Sequence, residues 1–94
     1  MQIKVFGKDG CKYCKTTMEK FQTFLKRWGI DEKVDLSFFD MEKNMEGMAE
    51  GAFYSVSKIP ATVIEKEGTM LARWDGEVPI SKDFEPFFES LRVN

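Results

Sequence analysis

Histidine is absent from the chain, cysteine occurs only twice and proline only three times. A closed tetrahedral zinc site needs four ligands, and two thiolates without an imidazole do not supply them. Any metal would have to borrow ligands from a second chain, a small molecule or carboxylates. The two cysteines, Cys11 and Cys14, sit three residues apart. A bond between them closes almost no loop and adds little stability, so this is not the widely spaced framework of a small secreted scaffold. Positive charge is not in excess either: 14 Lys and Arg stand against 16 Asp and Glu. That balance lacks the basic face a nucleic-acid binder needs. No apolar run approaches the ~18 residues that would span a bilayer. The segment Met1-Gln2-Ile3-Lys4-Val5-Phe6 is strand-like from the start and does not read as a charged-then-apolar signal peptide, which leads to the expectation of a cytoplasmic protein without membrane partners.

What is present suits one small domain. Ninety-four residues bury a little over ~60% of their unfolded surface, room for one sheet and a few helices. Hydrophobic residues make up 43% of the chain and include nine Phe, which is enough for a core and argues against disorder. No repeat, low-complexity tract or linker interrupts residues 1–94.

Ile3-Lys4-Val5-Phe6 reads as a first strand, ended by the turn residues Gly7-Lys8-Asp9-Gly10. A helix follows from about Cys11 to Trp28, with Cys14, Met18, Phe21, Leu25 and Trp28 forming one apolar stripe. Lys26 and Arg27 suit its C-terminal end, and Gly29 suits the residue after the cap. Asp35–Phe39 is the second strand. Glu42 to about Phe53 reads as a weaker helix whose core stripe would be Met41, Met45, Met48 and Ala52; Gly47 and Gly51 each cost it roughly 1 kcal/mol. Ala61–Glu65 and Thr69–Trp74 flank the hairpin signal Lys66-Glu67-Gly68. A last helix starting after Asp83 puts Pro86 in its first turn and Phe84, Phe87, Phe88 and Leu91 on its buried face. The order is βαβαββα. Asp40, at a strand end, reads as a capping or loop residue, and Trp28 and Trp74 as core aromatics.

The chemistry concentrates in Cys11-Lys12-Tyr13-Cys14. A Cys-x-x-Cys between a strand and a helix is the arrangement of a redox pair, although the bare motif also occurs in metal sites. The attacking species in disulfide exchange is the thiolate. At a helix start it meets unpaired N–H groups and the positive end of the helix dipole, and Lys8, Lys12 and Lys15 push the same way. Cys14 begins the apolar stripe, so it is the more buried sulfur and the poorer first attacker.

Taken together, the element order, Phe6-Gly7-Lys8 ahead of Cys11-Lys12-Tyr13-Cys14, Ile59-Pro60 opening the third strand, and Gly76 resemble a glutaredoxin-like member of the thioredoxin superfamily over nearly the whole chain. Glutaredoxins usually carry Cys-Pro-Tyr-Cys; Tyr13 fits and Lys12 departs. The resemblance implies an α/β, four-stranded mixed sheet with helices on both faces, and a cis Pro60 facing the cysteines. It implies Cys11 and Cys14 as the catalytic pair, with Lys8, Lys12, Tyr13, Ile59, Pro60 and Gly76 around the substrate. Glu77 stands where the family has a second glycine beside Gly76. The implied function is a dithiol–disulfide oxidoreductase with no bound cofactor. It would act as a monomer on disulfide-containing proteins or glutathione mixed disulfides, re-reduced by glutathione or a flavin-dependent thioredoxin reductase. The rival is a copper or iron–sulfur carrier using the same two thiols.

Overall fold

The structure, a computed structural model, describes residues 1–92. Strands β1 (Gln2–Gly7), β2 (Asp35–Asp40), β3 (Ala61–Lys66) and β4 (Thr69–Asp75) form one sheet in the order β2-β1-β3-β4. β2 runs parallel to β1, whereas β3 and β4 are antiparallel to their neighbours, so the sheet is mixed as expected. Helix α1 (Lys12–Arg27) connects the parallel pair, α2 (Met45–Phe53) leads into β3, and α3 (Ser81–Phe84) continues into a 3-10 helix over Glu85–Leu91. No helix among the described residues is long and apolar enough to cross a membrane.

The strand alternation divides the core in two. On one face Ile3, Val5 and Ile64 meet Phe21, Phe24 and Leu25 of α1 and Phe84 and Phe88 of the last helical segment. The rings of Phe24, Phe84 and Phe88 pack edge-on, with centroids 4.9 and 5.4 Å from Phe24. Trp28 and Trp74 pack partly buried against this core. On the other face Phe6, Ala61 and Val63 pack with Phe39, Met41 and Tyr54 under α2.

Three local readings are corrected. The second helix begins at Met45, not Glu42, because two side chains claim the preceding amides: Asp40 Oδ1 accepts from Glu42 N–H (2.8 Å) and Lys43 N–H (2.9 Å), and Asn44 Oδ1 then caps Gly47 N–H at 2.8 Å. Its inward residues are Gly47 and Gly51, while Met45 is 85% exposed and Met48 and Ala52 also face outward. Gly47 therefore lets α2 lie close to the Asp40 backbone, and Gly51 lets it lie against the Met41 side chain, rather than merely weakening the helix. The last helix begins at Ser81 and tightens to 3-10 geometry after Phe84, since Pro86 has no N–H to give to the carbonyl four residues back. Phe87 consequently turns outward, while Phe84 and Phe88 are buried.

Between β3 and β4 the turn residues Glu67 and Gly68 both have positive φ (51° and 80°), the conformation of a tight hairpin. On the α2 face Lys4 Nζ donates to Glu50 Oε1 (2.8 Å) and Tyr54 OH (3.2 Å) and pairs with Glu65 (3.3 Å); Tyr54 OH in turn donates to Glu65. Burial pulls the Lys4 ammonium down, but these partners outweigh it and hold the group above the ordinary lysine value. Burial and the bond to Glu65 keep the Tyr54 phenol protonated beyond its usual range.

Candidate active site

The site grows from the end of β1. The chain leaves the sheet at Gly7, turns through Lys8, Asp9 and Gly10 (φ +79°), and enters α1 through Cys11. Cys11 is the N-cap, with extended φ and ψ of −84° and 110°, not a residue of the helix itself. Its Sγ accepts the Cys14 N–H at 3.2 Å, and its carbonyl takes the Lys15 N–H at 3.2 Å. The Cys11 sulfur thus occupies the place where a serine or aspartate would cap a helix, aimed at otherwise unpaired donors.

Cys11 and Cys14 are joined as a disulfide, with their Cα atoms 5.3 Å apart. They are not equivalent. Cys14 is 1% exposed, whereas Cys11 is half-buried at the surface. Cys14 is seated on Gly7: a Cβ there would lie 2.5 Å from Cys14 Sγ, 2.8 Å from its Cβ and 3.0 Å from Phe38 Cε1. Gly7 is a positioning residue that sequence reading took only for a turn; its small size next to a buried cysteine was the available signal.

The residues around the pair fall into two groups. Lys8, Lys12, Lys15, Met18 and Phe38 line a cavity of about 510 Å³ together with both cysteines. Met18 and Phe38, from α1 and the edge strand β2, had not been connected with the site by sequence. Pro60 and Gly76 form the second group. The Ile59–Pro60 peptide is cis, as the resemblance implies, and the Pro60 carbonyl accepts the Gly76 N–H at 2.8 Å. The Phe6–Ala61 pairing puts Pro60 one step further along, at the Gly7 end of β1. Gly76 takes φ +74°, and the stem of Lys58 lies across it. Tyr13 is 63% exposed on the first turn of α1, Ile59 is half-buried, and neither lines the cavity.

Among the described residues no buried carboxylate lies on the Cys14 face of the sheet. Buried polar side chains on this face of the sheet are Thr17, whose hydroxyl donates to the Tyr13 carbonyl (2.8 Å), and Thr62, whose hydroxyl has no partner among the described residues. Glu65 belongs to the opposite face with Lys4. Asp40 caps its loop as read, and the N–H groups of Lys43 and Glu42 hold its carboxyl below the usual range.

The family profile described as a thioredoxin domain matches residues 1–89. The chain belongs to the thioredoxin family. Solved thioredoxins share its fold: thioredoxin 1 of Thermosipho africanus is 24% identical with a TM-score of 0.74, over 97% of this chain and 94% of that one. A thioredoxin-2 of the malaria parasite is 24% identical with a TM-score of 0.75, over 95% and 81%. Fasciola hepatica thioredoxin is 23% identical with a TM-score of 0.69, over 98% and 80%. No curated protein sequence matches the chain significantly. A thioredoxin-family domain carrying a bonded Cys-x-x-Cys pair at a helix start is a thiol–disulfide oxidoreductase.

Proposed function

We propose that this thioredoxin-family domain reduces disulfides in protein substrates, with Cys11 as the attacking sulfur and Cys14 as the resolving one. The asymmetry of the pair carries the reading: Cys11 reaches the surface at the helix start, and Cys14 is enclosed at 1% exposure. The Cys11 thiolate attacks one sulfur of the substrate disulfide, forming a mixed disulfide and expelling the first substrate thiolate, which takes a proton from solvent. Cys14 gives up its proton and attacks Cys11 Sγ. The second substrate thiolate leaves, and the Cys11–Cys14 bond holds the oxidising equivalents of the two electrons transferred. Two glutathione molecules, or a flavin-dependent reductase, supply two electrons to reopen it.

Protein disulfides are favoured over glutathione mixed disulfides by Glu77. Its carboxylate is next to Gly76, where a glutathione carboxylate would otherwise be received, and like charges repel. Lys8, Lys12 and Tyr13 border the attacking sulfur in sequence, Ile59, ahead of Pro60, offers its backbone to an extended substrate, and Gly76 borders the substrate beyond it. Against the metal-carrier alternative stands Ile59-Pro60 opening the third strand, which a two-thiol carrier does not need.

The test is turnover of Cys11→Ser and Cys14→Ser on insulin and on a glutathionylated peptide. On insulin, Cys14→Ser should stall as a covalent complex visible on non-reducing gels, because a bulky partner shields Cys11 from outside thiols. Cys11→Ser should be inactive on both. If Cys14→Ser instead turns over the glutathionylated peptide near wild-type rate and traps no protein, the substrate is a glutathione mixed disulfide. Activity retained in Cys11→Ser removes the mechanism.

A further inference from the structure

The cavity beside the cysteines has a composition that folding does not require. Lys12 and Lys15 sit in the first turn of α1, where no acidic residue is present, and Lys8 precedes them in the turn. A helix N-terminus is the positive end of the macrodipole, so cations there oppose helix stability. All three lysines are exposed, and none forms an ion pair among the described residues. Asp9 brings a carboxylate to the rim, but it is paired with Lys43 at 3.3 Å. The concentration of positive charge arises in a chain whose acids outnumber its bases, 16 to 14. Between the lysines the lining is apolar: Met18 is half-buried, and Phe38 stands partly exposed on the edge strand.

A volume of about 510 Å³ is enough for one or two side chains, not for a folded surface. A lysine rim around a Met and Phe floor, with a reactive sulfur in the wall, matches one kind of occupant. We propose that the cavity selects substrate segments in which the disulfide cysteine is followed or preceded by a large apolar residue flanked by Asp or Glu. The apolar side chain would enter against Met18 and Phe38, and the carboxylates would face Lys8, Lys12 and Lys15. This rests on the disulfide-reductase reading and names its substrate class. The apolar side chain would thus be held on the β2 side of the cysteines.

The experiment uses short disulfide-linked peptides carrying a fluorophore and quencher, reduced by the full chain with dithiothreitol as the recycling dithiol. Three peptides differ only around the cysteine: Leu with two Glu, Leu with two Lys, and Gly with two Glu. The quantity read is the ratio of kcat/KM values. For the wild type the Leu–Glu peptide should exceed the Leu–Lys peptide by at least roughly fivefold, the effect of one or two exposed ion pairs. Added salt should shrink the ratio, because a ~10 Å screening length at 0.1 M is comparable to the width of the site. Lys15→Glu and Lys8→Glu should each lower the ratio by roughly two- to fivefold. Taking a ratio cancels any effect of the lysines on the Cys11 thiolate, which is common to all peptides. The Leu–Glu peptide should also exceed the Gly–Glu peptide, and Phe38→Ser should erase that difference.

Equal reduction of all three peptides overturns the proposal and leaves the reductase reading standing. So does a charge preference that survives both lysine substitutions. Preference confined to glutathione disulfide, absent with the peptides, assigns the cavity to a small anionic thiol and also overturns it. Failure to reduce any peptide or insulin refutes the underlying function instead.

Discussion

A methyl group added at Gly47 would point at the backbone of Asp40, overlapping its carbonyl oxygen and lying 2.6 Å from its carbonyl carbon and 2.9 Å from its nitrogen. Helix propensity alone says that Gly47→Ala stabilises α2 by about 1 kcal/mol. The contact says otherwise. Backbone cannot swing aside as a side chain can, so α2 must lift from β2, and overpacking of this kind costs about 1–3 kcal/mol. Lifting also stretches the Asn44 cap on Gly47 N–H, now 2.8 Å, a bond whose loss costs about 1 kcal/mol. The net expectation is destabilisation by about 1–3 kcal/mol, at roughly 4–8 °C of thermal midpoint per kcal/mol in a domain of this size. Gly51→Ala is the internal control. Its added methyl would meet the far end of Met41 (Cε 2.7 Å, Sδ 3.1 Å), and a methionine tip can rotate away. That variant should stay within about 1 kcal/mol of wild type, the propensity gain offsetting the repacking. Thermal and urea unfolding followed by circular dichroism would measure both. A Gly47→Ala midpoint at or above wild type, or a larger loss for Gly51→Ala, would refute the close-approach argument.

Tyr54→Phe removes the hydroxyl that bridges Lys4 and Glu65, and should cost about 1–2 kcal/mol in urea unfolding, since Glu65 keeps only Lys4. The same cluster predicts an alkaline loss of stability. Lys4 and Tyr54 both have folded values raised above their unfolded values near ~10, so the folded state holds protons that the unfolded chain releases. Their contribution is fully present below pH ~10 and fades as pH rises further; the fall in thermal midpoint above that pH should be shallower in Tyr54→Phe, and an identical slope would count against the cluster. For the reduced protein, iodoacetamide alkylation of Cys11 should have a midpoint below the free-thiol value of ~8.5, while Cys14 resists alkylation by burial; Lys12→Pro should move the Cys11 midpoint upward. A Cys11 midpoint at or above ~8.5 would remove the helix-start argument.

The sheet was legible because strands announce themselves by what they bury. Ile3, Val5 and Phe6, and Ala61 through Glu65, are β-rich runs bounded by glycine and proline, and the turn at Glu67-Gly68 needs the conformations its residues tolerate. α1 was legible for the same reason, although its buried face is wider than one apolar stripe: Thr17 and Phe24 are buried beside Cys14, Phe21 and Leu25. The face of α2 was misread because periodicity scores side chains, and a face made of Gly47 and Gly51 has none to score. The cysteines were read from spacing and context. Phe38 and Met18 were not attached to them, since only the fold brings the middle of an edge strand to the start of α1. The Lys4–Glu50–Tyr54–Glu65 cluster was invisible for a related reason: its members are up to 61 residues apart, as 65 minus 4 shows, and each alone is an unremarkable polar residue.

β1 supplies both halves of the molecule, and its alternation keeps them apart. Lys4 and Phe6 face α2, where the charged cluster ties helix to sheet; Val5 and Gly7 face α1, where Cys14 rests. A change at Tyr54 or Glu50 therefore acts on the redox pair only through the stability of the sheet, and it should leave the order of attack by the two sulfurs unaltered. Gly7 has no such separation. Any side chain there displaces Cys14 Sγ, Phe38 or both, which are respectively the proposed resolving sulfur and part of the cavity lining. Core packing, the seat of Cys14 and the shape of the cavity meet at that one residue. Its requirement for glycine is one of space, because its φ is not among the positive values that Gly10, Gly29, Gly68 and Gly76 adopt.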